Sequence, residues 1–197
     1  MLKLTWQEGI FVLYRVLGSL PVLRWPFAGA IIAMLVDLCD LFLMDWLGGI
    51  RNYQALDKWC DQVYLAAFLV VALRWPRPQR TVAAGLYAYR LVGFGLFELT
   101  QSRAVLVLFP NLFEFWFVFV ASLKHWRKDY AFNNRSILLA LVPLLLLKES
   151  QELVLHWFKL LDGFTAVEAV KTVWEFALSW FQAAGPGPVN RSSGPWP

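Results

Sequence analysis

Nine acidic residues stand in, or at the edges of, stretches of this chain that are otherwise apolar: Asp37, Asp40, Asp45, Asp57, Asp61, Glu98, Glu114, Glu149 and Glu152. Carboxylates in such places have three uses: holding a hard cation through oxygen, carrying protons, or neutralising a basic side chain. At about 100° per residue, Asp37 and Asp40 share a helix face, and so do Asp57 and Asp61. A short turn joins the two helices, so the pairs can face each other as antiparallel neighbours. Four such groups suit Mg²⁺, Mn²⁺ or Ca²⁺. The competing reading is that Arg51, Lys58, Arg90 and Arg103 pair with them and only orient the helices.

Glu98, Glu114, Glu149 and Glu152 form a second wall at a similar depth. Glu149, Glu152 and His156 share one helix face, a pattern for metal ligands or for a proton relay in which the imidazole titrates near neutrality. A helix emerging among headgroups with Lys148 and Lys159 would show the same spacing. Arg90 lies midway along an apolar stretch, where its charge calls for an acid from another helix as ion-pair partner.

The elements that must position these groups follow from composition. The chain has 197 residues, 59% hydrophobic and 16% charged, with mean hydropathy +0.52. Soluble domains carry about 25% charge. The expectation is an all-α, polytopic transmembrane bundle of five to seven helices, a single domain over residues 1–184. Closed barrels are excluded, because the apolar runs are continuous where a barrel strand would alternate. Spans are predicted at 26–47, 53–73, 81–99, 104–123 and 136–157, each near the ~20 residues that cross ~30 Å of hydrocarbon. Residues 1–25 form an amphipathic segment, either interfacial or a first, poor crossing. It opens on the capping-box spacing Thr5–Glu8 and carries Glu8, Arg15 and Ser19 on one stripe. A second amphipathic helix is predicted at 164–184, and the Pro/Gly/Ser-rich tail 185–197 should be disordered.

Basic residues cluster in alternate loops. Lys3, Arg15 and Arg24 fall in the N-terminal arm, Arg74, Arg77 and Arg80 in one loop, and Lys124, Arg127, Lys128 and Arg135 in another; the intervening turns hold only Arg51 and Arg103. By the positive-inside rule the N-terminus is cytoplasmic and the nine acids lie toward the opposite face. The net charge of +4 therefore reports orientation and not nucleic-acid binding. Two LRWP tetrapeptides, Leu23–Pro26 and Leu73–Pro76, share the basic side with tryptophans at interface depth. Cys39 and Cys60 read as buried, inert thiols. Around Pro110, Asn111 and Glu114 the pattern is a proline-weakened helix. No P-loop, nucleophile elbow, HExxH or CxxC occurs.

The stretch from Val36 to Val70, VDLCDLFLMDWLGGIRNYQALDKWCDQVYLAAFLV, resembles the CDP-alcohol phosphotransferase signature: two aspartates three apart, then Gly and Ala-Arg, then Gly and two aspartates four apart. Asp37, Asp40, Asp57 and Asp61 match the four acids. Leu41, Met44–Asp45 and Tyr53 or Gln54 stand where the family has Gly, Ala-Arg and Gly, and the gap between the pairs is one residue short. The resemblance implies divalent metals on the four aspartates, binding a CDP diphosphate, with Asp61 as the base that activates an acceptor alcohol. The segment YQALDKWCDQVYL also resembles one found in bacterial integral membrane proteins, which implies the bacterial inner membrane.

Three functional expectations result. The leading one is a non-catalytic or transport-type membrane protein that binds a divalent cation or protons at the carboxylate cluster. The alternatives are a lipid phosphotransferase of the kind just described, and a structural or assembly subunit. The last is a homo-oligomer or one member of a membrane complex, given 17% aromatic residues and 11 tryptophans.

Overall fold

The computed structural model describes residues 5–48, 53–127, 130–152 and residue 175. The chain divides into two units, Met1–Leu160 and Leu161–Pro197. The structure below is that of the first. In the second only Glu175 is described, so the helix expected at 164–184 and the tail at 185–197 lie outside the described residues.

Every secondary-structure element among the described residues is a helix. Thr5 opens α1 (Trp6–Ser19) with a complete capping box: its hydroxyl accepts from the Glu8 N–H, and the Glu8 carboxylate accepts from the Thr5 N–H at 2.8 Å. A 3-10 turn, Leu20–Leu23, then reverses the chain into α2 (Pro26–Leu47), which begins on proline and stops at Gly48 with φ +59°. There follow α3 (Tyr53–Ala72), α4 (Gln79–Thr100), α5 (Arg103–Leu108), α6 (Leu112–Trp126) and α7 (Asn134–Glu152).

Close approach fixes the first hairpin. A Cβ on Gly29 would stand 2.2 Å from the backbone nitrogen of Val22, so only glycine lets the 3-10 turn fold onto the first turn of α2. α1 runs antiparallel beside α2, Gly18 against Val36, and α3 packs on both. The core lies farther along, between α3, α4 and α6. There Phe68 stacks on Phe117 at 4.2 Å and Trp75 on Phe117 at 5.1 Å, with Leu65, Phe113, Trp116 and Val120 fully enclosed. Stacked pairs of this kind contribute about 0.5–1.5 kcal/mol each beyond their burial.

The span expected at 104–123 is two helices. Pro110 has no N–H to donate and disfavours helical geometry at Phe109, so α5 ends and α6 restarts at Leu112. Among the described residues two helical segments, Pro26–Met44 and Gln79–Thr100, are long and apolar enough to cross a membrane, with mean hydropathy 2.1 and 1.3. α3 carries Asp57, Lys58 and Asp61 in its first half, and α1 and α6 are shorter. Of the two cysteines, Cys60 is buried as expected but Cys39 is exposed; both are free.

α1 is inverted relative to a water-soluble helix. Glu8, Phe11, Arg15 and Ser19 are buried, while Trp6, Ile10, Leu13 and Leu17 face outward. The stripe read as an interfacial polar face is the face packed into the bundle.

Candidate functional site

The i, i+3 and i, i+4 spacings work as helical geometry requires. Asp37 and Asp40 leave α2 on the side toward α3, and Asp57 and Asp61 leave α3 toward α2. Between them lies the Arg15 guanidinium, brought by α1. Its Nη1 contacts the Asp37 carboxylate and lies 3.3 Å from Asp40; its Nη2 lies 3.4 Å from Asp57 and 2.5 Å from Asp61. One planar fork thus bridges four carboxylates on two helices, which the single nitrogen of a lysine cannot do.

Burial grades across the cluster. The side chains of Arg15 and Asp40 are each 2% exposed, whereas Asp61, Asp57 and Asp37 are 21%, 30% and 38% exposed. Asp40 is therefore the enclosed partner, and the other three line the open side. Asp37, Asp57 and Asp61 can each offer an oxygen within 4.8 Å of the others. Opposite ligands of Ca²⁺ stand about 4.6–5.2 Å apart, from metal–oxygen distances of about 2.3–2.6 Å; those of Mg²⁺ stand about 4.0–4.2 Å apart. Separations within 4.8 Å admit either ion, with Arg15 beside it as a competing charge.

The electrostatics decide what the cluster needs. At an effective dielectric of about 20, two like charges 4.8 Å apart repel by about 3 kcal/mol, before the solvent screening that Asp37 in particular receives. Four carboxylates gather around one guanidinium, and Lys58 adds its positive charge near Asp57; ionised together, the four acids outnumber these two cations.

A second polar group continues from the cluster. Tyr64, one turn after Asp61, places its ring 5.7 Å beneath the guanidinium and donates its hydroxyl to Glu114 Oε2 at 2.9 Å. Asn111 Nδ2 donates to the same oxygen at 2.8 Å. Glu114 thus joins the aspartates through Tyr64 and Arg15, at the buried point where the helix is broken between α5 and α6.

The other expected residues go elsewhere. Glu98 is exposed near the end of α4. Glu149 is half-buried on α7, which packs against α6 and α5. The Glu152 side chain and His156 lie outside the described residues, as do Arg51 and the Arg103 side chain. Lys58 holds its ammonium 3.5 Å over the Phe97 ring. Arg90 has a different partner from the expected acid: its Nη1 donates to the Phe109 carbonyl at 3.1 Å, beside Tyr89, whose hydroxyl donates to the Leu108 carbonyl. The last carbonyls of α5 have no helical partner, and a cation near a helix C-terminus is favoured. Gly93 permits the approach, since a Cβ there would lie 2.3 Å from Phe109 Cβ.

The residue that sequence reasoning misplaced is Arg15. It was counted with the basic arm and it sits among the acids. The available signal was its position on one stripe with Glu8 and Ser19. Compared with family models, curated proteins and solved structures, the chain matches none.

Proposed function

We propose that this chain is an integral membrane protein that binds a cation, either a divalent metal ion or protons, at the α1–α2–α3 cluster. One observation carries the reading: four aspartates converge on the Arg15 guanidinium, and three of them, Asp37, Asp57 and Asp61, remain partly open with oxygens close enough to share a cation. A metal would be held by Asp37, Asp57 and Asp61, whose oxygens lie close enough to share it. The role is transport or non-catalytic binding. Tyr64 and Glu114 supply a hydrogen-bonded extension along which the site communicates with the α5–α6 break.

Membrane insertion is supported by the outward-facing side chains. Leu35, Leu38, Leu99, Leu138, Leu139, Leu146 and Leu147 are all more than half exposed, on several helices, beside two helices of spanning length. Arg24, Arg74, Arg77, Arg80, Lys124, Arg127 and Arg135 fall at or near the helix ends away from the aspartates, and this end is assigned to the cytoplasm of a bacterial inner membrane. α1 runs back along α2, so its start lies toward the aspartate end of the bundle and away from these basic residues.

The test is the metal content of detergent-purified protein after dialysis against low millimolar Mg²⁺, Mn²⁺ or Ca²⁺, beside proton uptake between pH 8 and pH 5. Stoichiometric metal, or proton uptake, that disappears in Asp37→Asn/Asp61→Asn supports the reading. The same values in both proteins would sink it.

The convergence of the four aspartates also favours a second reading, a metal-dependent CDP-alcohol phosphotransferase with Asp61 as base. Release of CMP from a CDP-alcohol by the purified protein is the expected result. Inactivity toward several CDP-alcohols with both Mg²⁺ and Mn²⁺ removes it.

A further inference from the structure

A cavity of about 270 Å³ opens at the other end of the bundle, where α2 begins and α6 ends. Its lining includes Arg24, Lys124 and His125, and its walls include Trp25, Phe27 and Trp75; no acidic residue lines it. Both LRWP tetrapeptides contribute, one through Arg24, Trp25 and Pro26, the other through Trp75. The walls are held firmly. Trp75 is buried and stacks on Phe117 at 5.1 Å, and Phe27 stacks on His125 at 5.6 Å and meets Trp126 edge-on at 4.7 Å.

The chemistry is that of an anion with an apolar neighbour. Arg24, Lys124 and His125 border a mostly apolar space at the first turn of a 22-residue helix, where the N–H groups of Phe27 and Ala28 have no helical acceptors. The tryptophan and phenylalanine surfaces offer nothing to a free inorganic anion, but they suit a glycerol backbone and the first methylenes of an acyl chain. Basic pockets between helices on the cytoplasmic side bind anionic head groups.

We propose that this cavity binds the phosphate-bearing head group of an anionic phospholipid, with Arg24 and Lys124 on the phosphate and Trp25 and Trp75 flanking the glycerol. The inference rests on the membrane reading of the chain and is independent of the aspartate site at the far end.

The experiment is native mass spectrometry of the full chain in detergent, titrated separately with phosphatidylglycerol, phosphatidylcholine and sn-glycerol 3-phosphate. Arg24→Gln/Lys124→Gln and the charge-conserving Arg24→Lys/Lys124→Arg are compared with the unaltered chain. Each lost charge should weaken phosphatidylglycerol retention about fivefold, and the pair about 25-fold, while the charge-conserving variant retains the lipid. Circular dichroism melting confirms that both variants fold. Equal retention of phosphatidylglycerol by the chain and its Gln variant would overturn the proposal, as would equal retention of phosphatidylcholine. Glycerol phosphate bound as tightly as the lipid would make this a site for soluble phosphate esters and overturn the lipid assignment. Alkaline extraction of membranes is run alongside: release of the chain would refute the membrane reading itself, a failure distinct from loss of lipid selectivity.

Discussion

Replacing Arg15 by glutamine separates an over-charged cluster from an ordinary set of ion pairs. The enclosed pair is Arg15 with Asp40, both 2% exposed and 3.3 Å apart. Removing one member of a buried pair costs about 3–5 kcal/mol, because an enclosed carboxylate loses its opposite charge. Asp57, Asp61 and Asp37 are 21–38% exposed, so their pairs with Arg15 behave more like surface bridges, worth about 0–1 kcal/mol each. The expected loss for Arg15→Gln is therefore about 4 kcal/mol, dominated by Asp40. For a chain of this size that lowers the melting temperature by roughly 8–16 °C. The acids should behave in the opposite way. Removing one of four like charges relieves repulsion, so Asp37→Asn and Asp57→Asn should be neutral within about 1 kcal/mol, or stabilising. In Arg15→Gln, a divalent cation at millimolar concentration should restore part of the loss, since it binds only the folded cluster. The assay is thermal melting by far-ultraviolet circular dichroism in detergent, with and without cation. Asp37→Asn as damaging as Arg15→Gln would refute the reasoning, because it would mean that the charges are balanced.

Tyr64→Phe deletes the hydroxyl that donates to Glu114 and should cost about 1–3 kcal/mol in the same melt, leaving a buried acceptor short of a donor. Gly29→Ala should be strongly destabilising, by about 1–3 kcal/mol or more, because its Cβ meets backbone at 2.2 Å. Gly9→Ala, with open space around it inside α1, should stabilise by up to about 1 kcal/mol; equal effects at the two glycines would refute the close-approach account. Arg90→Met should speed amide hydrogen exchange around residues 109–113 without changing cation binding, since its bond is to the Phe109 carbonyl and not to an acid.

How much of this was legible depended on the distance over which a rule acts. The pairing of Asp37 with Asp40 and of Asp57 with Asp61 follows from residues one turn apart, and the short turn makes the two helices neighbours. Arg15 acts over 22 to 46 residues, and nothing local reports that. Periodicity correctly grouped Glu8, Arg15 and Ser19 on one face of α1. It could not say whether that face turns inward, because the usual rule reverses when the surroundings are apolar. Glu98 and Glu149 show the complementary gap: a similar depth along a helix says nothing about the direction around it. Arg90 was recognised as needing a partner. The partner is a carbonyl freed by Pro110 some twenty residues on, a group that carries no signature in side-chain chemistry.

The span between Arg15 and its partners also sets a timetable for assembly. Synthesis proceeds at about 5–20 residues per second, so Asp37 follows Arg15 by roughly 1–4 s and Asp61 by roughly 2–9 s. On the membrane reading proposed above, the Arg15 guanidinium lacks its aspartate partners throughout that interval, and entering hydrocarbon without them would cost about 2.5–3.5 kcal/mol. Seating Arg15 in its site therefore waits until α2 and α3 have been made, so that an earlier helix is completed by later ones.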